Sequence, residues 1–202
     1  RVVILRGMNY AGMEFGNFVG APNGPAAEDF AQMASWGVNA VRVAISWQYL
    51  EPEPGVFDEN YLIDNLDPVI AWAAAHDILV IPEMHQFYTS PCFGDTNEPP
   101  QWSGIGFPSW TCEGQYTPEE HFKAMCEFFA GKLAPDGRTL IEHFTDAWRL
   151  VATHYAGDLR LGGFDLSNEP MCVGNLRDFQ RDRLNPMLRD VREALRSAGA
   201  EH

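Results

Sequence analysis

Short apolar runs alternate along the chain with longer stretches whose apolar residues recur at helical spacing. The runs predict strands at 2–5 (continuing towards Gly7 and Asn9), 40–45, 78–81 and 161–166, and the longer stretches predict helices at 26–36, 60–76, 118–130, 139–155 and 185–199. A strand followed by a helix, repeated four times, is typical of parallel sheets. The pattern therefore predicts an α/β fold, the N-terminal (β/α)4 half of a TIM (β/α)8 barrel, which needs about 250 residues when complete.

An open, doubly wound sheet is the alternative arrangement for the same order of elements. Its nucleotide-binding version carries a G-x-G-x-x-G motif after the first strand, where this chain has Arg6-Gly7-Met8-Asn9-Tyr10. The missing motif favours the barrel. We expect one partial domain of four βα units over residues 1–202.

The segment 86–117 is far longer than the roughly 2–6 residues that usually join a strand to its helix. Long loops of this kind are commonly functional. Its aromatic side chains either stack on sugar rings, accommodate a lipid or pack a small core of their own, and the same alternatives hold for Trp47 at the end of the second strand. The aromatic residues of the loop are Phe87, Tyr88, Phe93, Trp102, Phe107, Trp110 and Tyr116.

Charge and composition narrow the classes of ligand. The 202 residues carry a formal charge of −14, which disfavours nucleic acid and anionic lipid surfaces as partners. No apolar run approaches the ~20 residues of a membrane span. The cysteines lack a metal-type Cys-x-x-Cys spacing, and Cys92 and Cys112 are either bridged or isolated thiols. A bridge would favour a secreted or extracellular protein.

Polar residues end the apolar runs, where the reacting groups of a TIM barrel lie. Arg42 interrupts the second run and needs an anionic partner if it is buried. Glu83 and His85 follow the third run on one side of the strand. The alternative for all three residues is a purely structural role. Arg42 would then be an ion-pair partner, His85 a hydrogen-bonded core histidine, and Glu83 a charge that balances Arg42. These residues offer too few ligands for a metal site, and we expect no metal and no cofactor.

The fourth run ends in Ser167-Asn168-Glu169-Pro170, which presents an amide and a carboxylate together. Glycoside hydrolysis with retention needs a protonated carboxyl for the leaving oxygen and a second carboxylate roughly 5–5.5 Å away. Glu169 can supply the first group, and Asn168 can hold the sugar 2-hydroxyl. The structural alternative for Glu169 is a solvated residue after a strand.

The chain resembles glycoside hydrolase family 5, which includes cellulases, mannanases and endoglycoceramidases. The resemblance covers essentially the whole chain and depends on four motifs in order at strand ends. They are Arg6-Gly7-Met8-Asn9, Asn39-Ala40-Val41-Arg42-Val43, Met84-His85-Gln86 and Ser167-Asn168-Glu169-Pro170.

This resemblance implies a retaining double displacement. Glu169 matches the family's general acid/base, Asn168 the adjoining asparagine, Arg42 the arginine that steadies the nucleophile, and His85 the active-site histidine. The family's nucleophilic glutamate and its later histidine, tyrosine and tryptophan would lie beyond His202, in the missing C-terminal half-barrel. We therefore expect an O-glycosyl hydrolase as the full-length protein.

Three further stretches are similar to the endoglycoceramidase-like members, which implies a β-linked oligosaccharide, polysaccharide or glycolipid as substrate. Two alternatives remain open, a non-catalytic carbohydrate-binding scaffold and an inactive partial sequence. The three stretches are Glu51-Pro52-Glu53-Pro54-Gly55-Val56-Phe57-Asp58, Met84-His85-Gln86 and Gly106-Phe107-Pro108-Ser109-Trp110.

Overall fold

The structure is a computed structural model that describes residues 4–95, 102–114 and 116–200. Three parallel strands, β1 (Gly7–Tyr10), β2 (Ala40–Ser46) and β3 (Leu79–His85), pair in that order. Ala40 is the partner of both Gly7 and Leu79, so the strands start at one level and their carboxyl ends form one edge. This arrangement is the first part of a (β/α) barrel, as predicted.

The predicted fourth strand, 161–166, is present as an interrupted ladder on the far side of β3. Leu161 pairs with Val80 and Asp165 pairs with Glu83, both in parallel. On this side of β3, the N–H groups of Val80 and Met84 donate to carbonyls of the fourth strand segment. The residue midway between them is Pro82, which has no N–H. One ladder bond is therefore missing, and the prediction of a continuous strand was wrong.

The first strand starts later than its apolar run predicted. Ile4 and Leu5 are 72% and 50% exposed and precede β1, while residues 2–3 lie outside the described part of the chain. The Asn39 side chain holds this segment instead, because its Oδ1 accepts from the Arg6 N–H and its Nδ2 donates to the Ile4 carbonyl. The apolar run is thus a lead-in to the strand.

Helices follow the strands, and several are shorter or more divided than their patterns indicated. A capping box between Thr139 and Glu142 starts the longest of them. The predicted 60–76 helix is continuous over 60–74 but π-helical at Leu62–Leu66, just before Pro68, which cannot donate to the turn before it. The α-helices are α1 (Ala27–Ser35), α2 (Trp47–Leu50), α3 (Asp67–Ala74), α4 (His121–Phe129), α5 (Leu140–His154), α6 (Leu176–Phe179) and α7 (Asn185–Ser197), with π-helical turns at Leu62–Leu66 and Gln180–Leu184 and short 3-10 turns at Met13–Phe15, Ser109–Thr111 and Pro118–Glu120.

The core lies between the sheet and these helices. Val41, Val43 and Ile45 of β2 are fully buried on the side that faces the helices. The alternate positions of β2, including Arg42, face the other side, which would be the interior of a complete barrel. Helix α1 packs on α3, and α5 packs on α2, α4 and α7.

Two disulfides cross-link the loops at the carboxyl edge of the sheet. Cys92–Cys112 closes the long 86–117 loop, so the bridged alternative for these cysteines is the one that the structure has. Cys126–Cys172, which the sequence did not predict, ties α4 to the segment after Glu169. The loop also contains a short hairpin of β4 (Gly94–Asp95) and β5 (Trp102–Ser103), and its residues 96–101 and 115 are outside the described part.

Among the residues that the structure describes, none of the helices combines the length and the apolar character of a membrane span.

Candidate active site

Arg42 is the centre of a polar network on the interior side of the sheet. Its Nε donates to Asp165 Oδ2 at 2.7 Å, and its Nη2 lies 3.1 Å from Asn168 Oδ1 and 3.3 Å from Glu83 Oε1. The guanidinium thus joins β2 to β3 and to the interrupted fourth strand. The anionic partner expected for Arg42 is present twice, as Glu83 and Asp165.

Glu83 and His85 lie together on β3, as the period-two spacing predicted. Glu83 Oε2 is 3.0 Å from His85 Nδ1, and the Glu83 side chain is fully buried. Burial raises the pKa of Glu83, and the hydrogen bond from His85 and the charge of Arg42 oppose that rise without cancelling it. The site therefore holds a carboxyl that is easier to protonate than an ordinary glutamate.

Asn168 and Glu169 are held at the carboxyl edge of the sheet by the end of β3. The Asn168 N–H donates to the Met84 carbonyl at 3.0 Å, and its side-chain Nδ2 donates to the Gln86 carbonyl at 3.0 Å. The Asn168 side chain is thereby fixed between Gln86 and Arg42. Glu169 follows with φ 41°, a left-handed conformation that costs a non-glycine residue of order 1–3 kcal/mol.

The Glu169 carboxylate is exposed and lies beside a hollow of about 200 Å³. We call this space the Glu169 hollow. It is mostly apolar, and two of its aromatic rings, Phe87 and Phe122, are 47% and 39% exposed. The lining residues are Gln86, Phe87, Tyr88, His121, Phe122, Glu169 and Met171. A group bound there would touch the carboxylate on one side and aromatic faces on the other.

Trp47 and Trp110 are not part of this hollow. Trp47 is 0% exposed and packs among Phe107, Phe128 and other aromatic rings, with its indole N–H on Glu51 Oε2 at 2.7 Å. Trp110 packs on Trp47, and its indole N–H donates to the Glu51 carbonyl at 2.9 Å. The suggestion that Trp47 stacks on a sugar was wrong, because its ring is buried in the core, and Trp110 belongs to the same cluster.

Some of the remaining aromatic residues of the loop line the hollow, and others pack within the protein. Phe87 and Tyr88 line the hollow, whereas Phe107 is buried and Phe93 stacks on Tyr116. The side chain of Trp102 lies outside the described part of the chain.

Sequence reasoning missed Asp165 and Gln86 as members of the network. Asp165 gave a signal, since it is a charged residue inside the fourth apolar run, only three residues before Asn168. Gln86 gave none beyond its place in a motif, because its contacts depend on how two strand ends meet. Within the described residues, no three His, Cys, Asp or Glu side chains are grouped as metal ligands.

Comparison with known proteins agrees with this geometry. The model of the cellulase family, glycosyl hydrolase family 5, matches residues 3–202. The chain belongs to this family. It is 30% identical over 183 residues to endoglycoceramidase I of Rhodococcus hoagii (strain 103S), an alignment that covers 84% of this chain and 34% of that protein.

An endogalactoceramidase and an endo-glycoceramidase are among the similar solved structures. An endogalactoceramidase superimposes with a TM-score of 0.83 at 26% identity, over 98% of this chain and 47% of that one. Endo-glycoceramidase II from Rhodococcus sp., solved as a lactosyl-enzyme intermediate, superimposes with a TM-score of 0.77 at 28% identity, over 98% and 48%. The same enzyme is also known in a complex with ganglioside GM3. The chain thus spans about half the length of the solved structures that it matches.

Proposed function

We propose that the full-length protein containing this chain is a retaining β-glycosidase that releases the glycan of a glycolipid, with Glu169 as general acid/base. The observation that carries the proposal is the position of Glu169. Glu169 is exposed, follows the fourth strand directly after Asn168, whose side chain Arg42 holds, and borders an apolar hollow.

In this mechanism the Glu169 carboxyl donates its proton to the glycosidic oxygen while a second carboxylate attacks the anomeric carbon. The C1–O bond to the leaving group breaks as the bond to the nucleophile forms. Glu169, now ionised, takes a proton from the water that hydrolyses the glycosyl-enzyme. The nucleophile is proposed to lie outside residues 1–202.

The leaving group must lie beside the acid that protonates it, so the Glu169 hollow is the proposed site of the aglycone. The apolar lining favours a lipid over a further sugar, because aromatic faces contribute large apolar contact area. The related enzymes act on glycoceramides according to their names, and one is known with a ganglioside. A β-glucan is the second candidate substrate, since the family model is that of cellulases.

The decisive variants are Glu169→Gln and Glu169→Ala in the full-length protein, with Glu28→Gln, an exposed residue of α1, as the control. We expect kcat/KM on a detergent-solubilised glycosphingolipid to fall about 10²–10⁴-fold in both Glu169 variants and to stay unchanged in the control. Azide should restore turnover of an activated aryl glycoside by Glu169→Ala, because azide attacks the glycosyl-enzyme without needing a general base.

Unchanged turnover in Glu169→Gln would refute the assignment. Binding of glycans without turnover by the wild-type full-length protein would favour the carbohydrate-binding scaffold instead. Turnover of cello-oligosaccharides but not of glycosphingolipids would agree with the mechanism and indicate a β-glucan as the substrate. Secretion stays a prediction, and the two disulfides support it.

A further inference from the structure

Gln86 and Asn168 exchange two hydrogen bonds between the end of β3 and the Asn168–Glu169 segment. Asn168 Nδ2 donates to the Gln86 main-chain carbonyl at 3.0 Å, and Gln86 Nε2 donates to the Asn168 main-chain carbonyl at 3.3 Å. Gln86 is 4% exposed, so these bonds are shielded from water. We call this pair the Gln86–Asn168 clasp.

The acceptor of the Gln86 side chain is the carbonyl of the peptide group that links Asn168 to Glu169. The orientation of this peptide group is coupled to the φ angle of Glu169. That angle sets the direction in which the Glu169 side chain leaves the backbone. Glu169 has φ 41° and precedes Pro170, whereas residues before proline favour extended conformations with negative φ. Such a conformation persists only where the surroundings hold it.

The long loop also holds the Gln86 side chain, through the oxygen of its amide group. Gln86 Oε1 accepts from the Thr89 N–H at 3.0 Å. Rotation of the side-chain amide would break this bond and the bond from Gln86 Nε2 to the Asn168 carbonyl. Gly106 packs its backbone against Gln86, and a Cβ at that glycine would lie 2.5 Å from Gln86 Cα. Gln86 is thus locked in one position, with its N–H directed at the peptide group before Glu169.

We propose that Gln86 is a positioning residue for the general acid. By holding the Asn168–Glu169 peptide group, its side chain keeps the Glu169 carboxyl directed at the leaving-group oxygen. This inference rests on the proposed function of Glu169. It predicts a defect in protonation of the leaving group, and only a minor effect on binding of the glycan.

The test compares two variants of the full-length protein. Gln86→Met keeps a similar length without hydrogen bonds, and Gln86→Glu keeps an acceptor for Thr89 but loses the donor to Asn168. Gln32→Met, at an exposed site on α1, is the matched control. Each is assayed on a glycosphingolipid and on a 2,4-dinitrophenyl glycoside, whose leaving group departs without a proton.

We expect both Gln86 variants to lose about 10- to 100-fold in kcat/KM on the glycosphingolipid, with KM for that substrate nearly unchanged, and less than threefold in kcat/KM on the dinitrophenyl glycoside. The ratio of the two activities does not depend on the folded fraction, so a less stable variant remains informative. Equal losses on both substrates, or no loss on either, would overturn the proposal.

The Glu169→Gln variant, assayed on the same two substrates, separates this inference from the proposed function. If Glu169→Gln shows the selective loss and the Gln86 variants do not, only the positioning role fails. If Glu169→Gln shows no selective loss, the role of Glu169 itself is wrong.

Discussion

Glu51 is a carboxylate held inside the protein by several donors. Its side chain is fully buried and accepts from the Trp47 indole at 2.7 Å, from the Gly55 N–H at 2.8 Å and from His143 at 2.6 Å. A buried charge is tolerated only when it is paired and hydrogen-bonded. Trp47 therefore serves here as a hydrogen-bond donor to Glu51.

Replacement of Trp47 by phenylalanine tests this role. Trp47→Phe removes one donor from a buried carboxylate, which we expect to lower the free energy of unfolding by about 1–3 kcal/mol in urea titrations of the full-length protein. Trp36→Phe, at a ring that is 64% exposed, should change it by less than about 0.5 kcal/mol. KM for the glycolipid should not change in either. A raised KM with full stability would return Trp47 to the substrate site.

At the scale of elements, helix α5 is joined to the segment between α2 and α3, and to the first residue of α3, through two histidines three turns apart. His143 contacts Glu51 and also Asp136, and His154 contacts Glu59 at 2.8 Å and Asp67 at 3.0 Å. A histidine can donate from both ring nitrogens only when it is protonated. Burial disfavours the charged form of His154, but the bonds to Glu59 and Asp67 outweigh it and raise its pKa.

A raised pKa in the folded state makes this contact dependent on pH. His154 stabilises the fold fully below its unfolded pKa of about 6.5, and the contribution is lost as the pH rises through the higher folded value. We expect His154→Gln to cost about 0.5–1 kcal/mol at pH 5.5, a modest value because both carboxylates are partly exposed. The difference from wild type in thermal unfolding should shrink with rising pH. His76→Gln, at an exposed histidine, is the control, and a pH-independent difference for His154→Gln would contradict the ion-pair interpretation.

The two disulfides cross-link the loops unequally. Cys126–Cys172 spans 46 residues and Cys92–Cys112 spans 20. Loop-closure entropy then predicts that loss of the longer link costs about 0.7 kcal/mol more. Urea unfolding of the paired serine variants, Cys126→Ser with Cys172→Ser and Cys92→Ser with Cys112→Ser, measures the difference. The reverse order would indicate that local strain or residual structure outweighs chain entropy.

The features that could be predicted from sequence are those with a short-range signal. Period-two alternation placed Glu83 and His85 on one face, and the strand-end motif placed Asn168 and Glu169 at the sheet edge. The features that could not be predicted depend on distant segments meeting. Pro82 interrupts the fourth strand only because its missing N–H faces that neighbour, and Cys126 finds Cys172 only once α4 is packed.

At the scale of the whole molecule, we expect the nucleophile to be a group other than the described carboxylates around Arg42. Glu83 is fully buried and faces Arg42 and His85, and Asp165 accepts from the Arg42 guanidinium. Retention needs a second free carboxylate roughly 5–5.5 Å from the acid, on the other side of the sugar. Since the related structures are about twice as long as this chain, the open side of the sheet is where we expect that group.

A mechanism-based label identifies the nucleophilic carboxylate. A 2-fluoro glycoside with a good leaving group should form a stable glycosyl-enzyme with the full-length protein. The fluorine slows both steps, and the good leaving group restores the rate of the first step only, so the intermediate accumulates. Mass spectrometry of the digested adduct should place the added mass on a glutamate outside residues 1–202. The Glu169→Gln variant should still be labelled, since this leaving group needs no acid. Labelling of Glu83 or Asp165 would show that the Arg42 network supplies the nucleophile and that this half of the barrel contains both carboxyls of the reaction.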